Sequence, residues 1–226
     1  PSLWTHWSSS ASCTRCELSG HTFAGIFNQG ETTLSESTIG TTSSDPNMGG
    51  GVGIYGGIDE DEDEDVSDLR DADLRLFVTE AVVEPQPLAA VYLFNVLEAV
   101  IEGSTLSGGT GLPTVGTEWA HGDLVFAVDG GGTWDEEAET GILIQDNVLQ
   151  NANGAALFLD GTSATIENNE WLDNSIDVLQ QSCTDQELPE GLEEAGIETT
   201  ELCPSYDHTH QTLRAGWFPT VSEAEN

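Results

Sequence analysis

One short apolar phrase returns along this chain about every 22 residues, and a repeat of that length excludes most folds at once. The phrase is an apolar residue, four others, then a second apolar residue. It occurs at Cys13/Leu18, Leu34/Ile39, Val78/Val83, Ile101/Leu106, Ile144/Leu149 and Ile166/Trp171. Two of the steps are about double the rest, and each carries Gly-rich or acidic sequence without the phrase, so they read as repeats with inserted loops. Two residues before each pair stand Ala11, Thr32, Leu76, Ala99, Ile142 and Ala164, which continue the period-2 alternation of a strand. The spacing within a pair is odd, so both members face inward only if the chain bends between them. Cys16, Ser37, Ala81, Ser104, Asn147 and Asn169, three positions after the first member, are small or turn-compatible and mark that bend. A further strand follows at Ile26, Val91 and Leu157, with counterparts Ile54 and Val125 in the inserted repeats. A unit of three short strands cannot bury its own apolar side, whereas units stacked about 4.8 Å apart bury a continuous core and pair every strand.

The segments "ILIQDNVLQNANGAALFLDG" from Ile142 and "ATIENNEWLDN" from Ala164 resemble the parallel β-helix repeats of the pectate-lyase-like superfamily. By register the resemblance runs from residue 11 to 182. It implies an all-β fold, a single-stranded right-handed parallel β-helix of about six coils with inserted loops and a C-terminal capping tail. It also implies an asparagine ladder at Asn147 and Asn169. A jelly roll or sandwich is the all-β alternative, but its strands would not recur at a fixed interval. The helix is expected over residues 1–183, with coils from about 11 and insertions near 41–51, 57–73, 108–121 and 129–140. The repeat stops after Cys183, and residues 184–226 form the cap or tail.

Charge sets the surroundings. Forty-one Asp and Glu face four Arg and no Lys, a formal charge of −37, which excludes nucleic acid as an ordinary partner. Self-repulsion on this scale destabilises a compact state at low ionic strength, so a saline or calcium-rich setting is expected. No apolar run is long enough for a membrane-spanning helix. Four cysteines in an acidic, Lys-free chain fit export, so an extracellular or cell-surface location and a monomer are expected. The chain opens on Pro1 and reads as a processed or excised segment.

Several side-chain sets could carry function. If Ile26, Ile54, Val91, Val125 and Leu157 face inward, then Phe27, Tyr55, Tyr92, Phe126 and Phe158 form an aromatic stripe on the opposite face. Two readings stand: a platform on which sugar rings stack, or rings that stack on one another beneath the loops or tail. Trp119 and Trp134 could extend the platform or pin their own loops. Asp59, Asp61, Asp63 and Asp65 in the run "DEDEDED" are candidate calcium ligands, though the run departs from the EF-hand pattern and also reads as a solvated acidic loop. Cys183 and Cys203 are expected to form a disulfide tying the tail to the last coil, in preference to a zinc site with His208 and His210. Cys13 and Cys16 could be bridged locally or remain thiols.

Catalysis has no recognisable motif. Lyases on this scaffold use calcium with an Arg or Lys base, and only Arg15, Arg70, Arg75 and Arg214 are available. The expected function is therefore binding or display toward a polysaccharide or cell-surface glycan, with Phe27, Tyr55, Tyr92, Phe126 and Phe158 as the contact face. The alternative is a polysaccharide lyase or glycoside hydrolase acting on an acidic glycan, with carboxylates such as Asp123, Asp129 and Asp160 beside the same face.

Overall fold

A computed structural model describes residues 1–6, 9–43, 51–57, 74–108, 123–130, 135, 138, 140–160 and 162–181. In chain order their strands are β1 (Leu3–Thr5), β2 (Ser10–Thr14), β3 (Glu17–Leu18), β4 (Ala24–Asn28), β5 (Glu31–Ser35), β6 (Thr38–Ile39), β7 (Val52–Gly57), β8 (Arg75–Thr79), β9 (Val82–Val83) and β10 (Ala89–Val96). They continue with β11 (Glu98–Glu102), β12 (Thr105–Ser107), β13 (Asp123–Gly130), β14 (Gly141–Gln145), β15 (Val148–Gln150), β16 (Ala155–Asp160), β17 (Thr165–Glu167), β18 (Glu170–Leu172) and β19 (Ile176–Gln181). No helix occurs among the described residues.

Every third strand joins the same sheet. A broad seven-stranded sheet takes β1, β4, β7, β10, β13, β16 and β19; a second sheet of six runs β2, β5, β8, β11, β14, β17; a third of six runs β3, β6, β9, β12, β15, β18. All these pairings are parallel, an architecture of stacked layers compatible with a parallel β-helix.

The register follows the apolar phrase. Cys13, Leu34, Val78, Ile101, Ile144 and Ile166 are successive partners across the second sheet. Leu18, Ile39, Val83, Leu106, Leu149 and Trp171 are partners across the third. Ile26, Ile54, Val91, Val125 and Leu157 line up across the broad sheet. All of them belong to one core cluster or pack against it. A slip by one residue would turn each row outward, so burial enforces this alignment.

The bend between the second and third sheets falls one residue earlier than the spacing suggests. Arg15, Glu36, Glu80, Gly103, Asp146 and Asn168 take left-handed backbone angles, with φ between 48° and 58°. That conformation turns the following side chain inward, which is why Ser37, Ala81, Ser104 and Asn147 are buried instead of forming the turn surface. Inside the stack these side chains answer bend N–H groups of the preceding layer, which would otherwise be orphaned. Ser37 Oγ accepts from Cys16 N (2.9 Å), Ser104 Oγ from Ala81 N (3.0 Å), Asn147 Oδ1 from Ser104 N (2.9 Å) and Asn169 Oδ1 from Asn147 N (3.0 Å). At the N-terminal end of this row Cys16 is bonded to Cys13, so the local disulfide is the alternative adopted.

Four long connections border the broad sheet. Two enter β7 and β13 from the third sheet, and two leave β7 and β13 for the second. The intervening β10 is reached from Val83 and left toward Glu98 by short links.

Candidate functional site: an aromatic ladder on the broad sheet

Because Phe27, Tyr55, Tyr92, Phe126 and Phe158 are register partners on consecutive parallel strands, strand spacing alone brings their rings together. Successive centroids are 4.9, 5.2, 5.1 and 4.8 Å apart, and the planes lie within 7° of parallel. Each inner ring therefore has both faces occupied by its neighbours. Exposure falls along the row: Phe27 and Tyr55 are half-buried, Tyr92 keeps 7%, Phe126 4% and Phe158 1%. With Ala24, Val52, Ala89, Phe94, Ala155 and Leu179 the buried rings make a second apolar cluster, separate from the core on the other face of the sheet.

The N-terminal end of the row is open. Trp4 on β1 pairs in register with Phe27, meets its ring edge-on at 5.8 Å and 90°, and is 63% exposed. Its indole Nε1 donates to Gln29 Oε1 at 3.2 Å, which fixes the ring orientation. Phe23 leans on Phe27 and Tyr55 at 5.7 and 6.1 Å. Gly57 has a part here: a Cβ would stand 3.0 Å from Tyr55 Cε1 and Oη, so a larger residue would require the tyrosine ring to shift by a few tenths of an ångström. Trp4, Phe23, Phe27 and Tyr55 thus form a four-ring surface. The apolar phrase singles out none of Trp4, Phe23 and Gln29. The available signal was that Trp4 stands about one repeat before Phe27.

Asp123 opens β13 in the row of small residues beside the rings, next to Ala89. It is 3% exposed, and its Oδ1 accepts from Ala155 N at 2.6 Å. Burial pushes the carboxyl from its ordinary 3.8 up to about 7, with the Ala155 N–H opposing the shift. Val52 N, in the corresponding row, finds the backbone carbonyl of Phe23 instead, so the Asp123 side chain does here what backbone does there. Asp129 and Asp160 sit on β13 and β16, but their side chains lie outside the described residues.

The candidate bases are placed elsewhere. Arg75 on β8 lies in the second sheet and holds Glu98 of the next strand through an ion pair at 3.2 Å. Arg15 occupies the exposed bend enclosed by the Cys13–Cys16 disulfide. Arg70, Arg214, Asp59, Asp61, Asp63, Asp65, Trp119, Trp134, Cys183, Cys203, His208 and His210 lie outside the described residues. Among the described residues no group of three His, Cys, Asp or Glu side chains is arranged to hold a metal ion, and no helix is long and apolar enough to cross a membrane.

Comparison with protein families, curated proteins and solved structures finds no match.

Proposed function

We propose that the chain is a right-handed parallel β-helix of about six coils with the pectate-lyase-like architecture, exported or displayed at a cell surface, where it binds carbohydrate rings at the open end of its aromatic ladder. Right-handedness follows from the near-universal hand of crossovers between parallel strands of one sheet. The local disulfide and the Lys-free, strongly acidic composition support an oxidising, saline exterior.

The observation that carries the binding role is the exposure of Trp4, 63%, on a ring already fixed by Gln29 and Phe27. A rigid exposed indole offers a sugar its apolar face at little cost in side-chain ordering. The ladder beyond Tyr55 has no free ring face, so its part is to hold the platform. A charge of −37 repels polyanions, which directs the reading to neutral glycans unless calcium bridges the two. Titration with neutral and uronate-containing oligosaccharides, with and without calcium, tests it. Neutral binding lost in Trp4→Ala and retained in Phe158→Leu supports the platform; equal binding by wild type and Trp4→Ala overturns it.

A glycoside hydrolase or lyase is the second reading, favoured by the placement of Asp123 on the strand that carries Phe126, with a carboxyl that burial pushes up to about 7. Reducing-end release or unsaturated product that disappears in Asp123→Asn would support it over simple retention of the glycan.

A further inference from the structure

His21 lies between β3 and β4, beneath the residue that leads into β1. It is 4% exposed, and its Nε2 has no hydrogen-bond partner. Nδ1 is 3.4 Å from Ser2 Oγ, and Ser2 N in turn donates to Gly25 O at 2.9 Å. The ring packs close to Gly25, where a Cβ would stand 3.1 Å from its Cε1. Ser43 holds the backbone of His21, its N and Oγ both donating to the His21 carbonyl. None of these neighbours is charged. Gly40 O, which already receives Gln86 Nε2 at 3.0 Å, is the backbone acceptor that favours a protonated ring, and burial outweighs it. The Glu84 carboxylate beyond it is engaged by Thr41 N at 3.2 Å. Among the described residues no carboxylate contributes to the shift of the ring.

β1 is the strand least able to resist a disturbance at this point. It has three residues and, among the described residues, pairs on one side only, with β4. A neutral imidazole can leave Nε2 as an unused acceptor at modest cost, whereas an imidazolium must bury a charge and aim a second N–H donor at a Gly40 carbonyl that Gln86 already engages. We propose that His21 is an acid-sensitive latch whose protonation undocks β1, carrying Trp4 away from the aromatic platform. The sign agrees with the shift of the group: burial holds His21 below its ordinary 6.5, so the closed arrangement is fully favoured above that value and loses stability as pH falls below it. The inference goes beyond ring binding and rests on that reading only for its consequence, loss of the platform in acid.

The test reads strand docking without any sugar. Gln29 N donates to Thr5 O, so its amide exchange reports β1, while Thr38 N, donating to Cys16 O, reports the neighbouring layer. After correction for intrinsic rates, Gln29 protection in the full chain should fall between pH 7.5 and pH 5, by up to about tenfold per unit between the ordinary 6.5 and the lowered folded-state pKa, and level off below it. Thr38 should hold. His21→Phe, which fills the space without a charge, should remove the dependence, and His21→Gln provides a second uncharged variant if Phe folds poorly. Gln29 protection that ignores pH, or that falls equally in both variants, overturns the latch. If the latch behaves as stated but no neutral oligosaccharide binds at either pH, the carbohydrate reading fails and the latch stands.

Discussion

Asn147 Nδ2 lies 3.0 Å from Asn169 Oδ1 in the next layer and also donates to Ile101 O at 2.8 Å, so one amide ties three layers together. Its Oδ1 receives Ser104 N at 2.9 Å, and its exposure is 1%. Asn147→Ala would leave a buried N–H and a buried carbonyl without partners, at about 1–3 kcal/mol for each. Denaturant unfolding should show a loss of about 2–5 kcal/mol, with Asn147→Ser intermediate because its hydroxyl can still accept from Ser104 N.

Removing an inner ring breaks two stacks. Phe126→Ala eliminates contacts with Tyr92 and Phe158 at 5.1 and 4.8 Å and opens a cavity in a buried cluster. The expected destabilisation is about 3–5 kcal/mol, the range for Phe truncation in cores. Phe126→Leu should cost roughly half of that, since it keeps apolar volume and loses only the stacking. Equal losses in the two variants would show that the ring stacking carries the whole effect and the apolar volume none of it.

Asp123 should make stability depend on pH. Its folded pKa of about 7 lies above the ordinary 3.8, so the folded state binds the extra proton. Its contribution is fully present below the ordinary value and is lost as pH rises through about 7. Asp123→Asn keeps an acceptor for Ala155 N and cannot ionise. Compared with wild type in the same buffers, the variant should gain on the order of a few kcal/mol between pH 4 and pH 8. A difference in midpoint that stays constant with pH would contradict the assignment.

The non-glycine bends offer a gain. Glu80 holds φ at 51°, a region that disfavours L side chains and that Asn tolerates better. Glu80→Asn should exceed Glu80→Gln in stability by about 0.5–1 kcal/mol. The comparison cancels the removed charge and leaves the backbone effect, and thermal unfolding of the pair measures it.

The charge of −37 predicts a steep salt response. Melting temperature should climb with sodium chloride as the screening length contracts from about 30 Å at 0.01 M to about 3 Å at 1 M. Calcium at matched ionic strength should raise it further, and joint replacement of Asp59, Asp61, Asp63 and Asp65 by Asn should remove the calcium increment. A calcium effect no larger than that of sodium would leave screening as the whole explanation.

Alternation and repeat length by themselves determined which side chains face the core and which positions meet across layers. Leu34, Val78 and Ile101, or Phe27, Tyr55 and Tyr92, could be matched in advance because a strand places every second residue on one face and a stack repeats at one interval. The inward asparagines followed only from the resemblance to β-helix repeats, and the spacing set the bend one residue late because a left-handed φ at Asp146 or Glu80 leaves no apolar signature. Tertiary structure alone decided how the outward positions are used. Whether a ring on an outer face meets solvent depends on what lies against it, and spacing along the chain holds no record of that. The fold gave each inner ring two neighbours, left Trp4 open, and put His21 and Asp123 where water cannot reach them, since burial is a property of the assembled layers and no single layer has it.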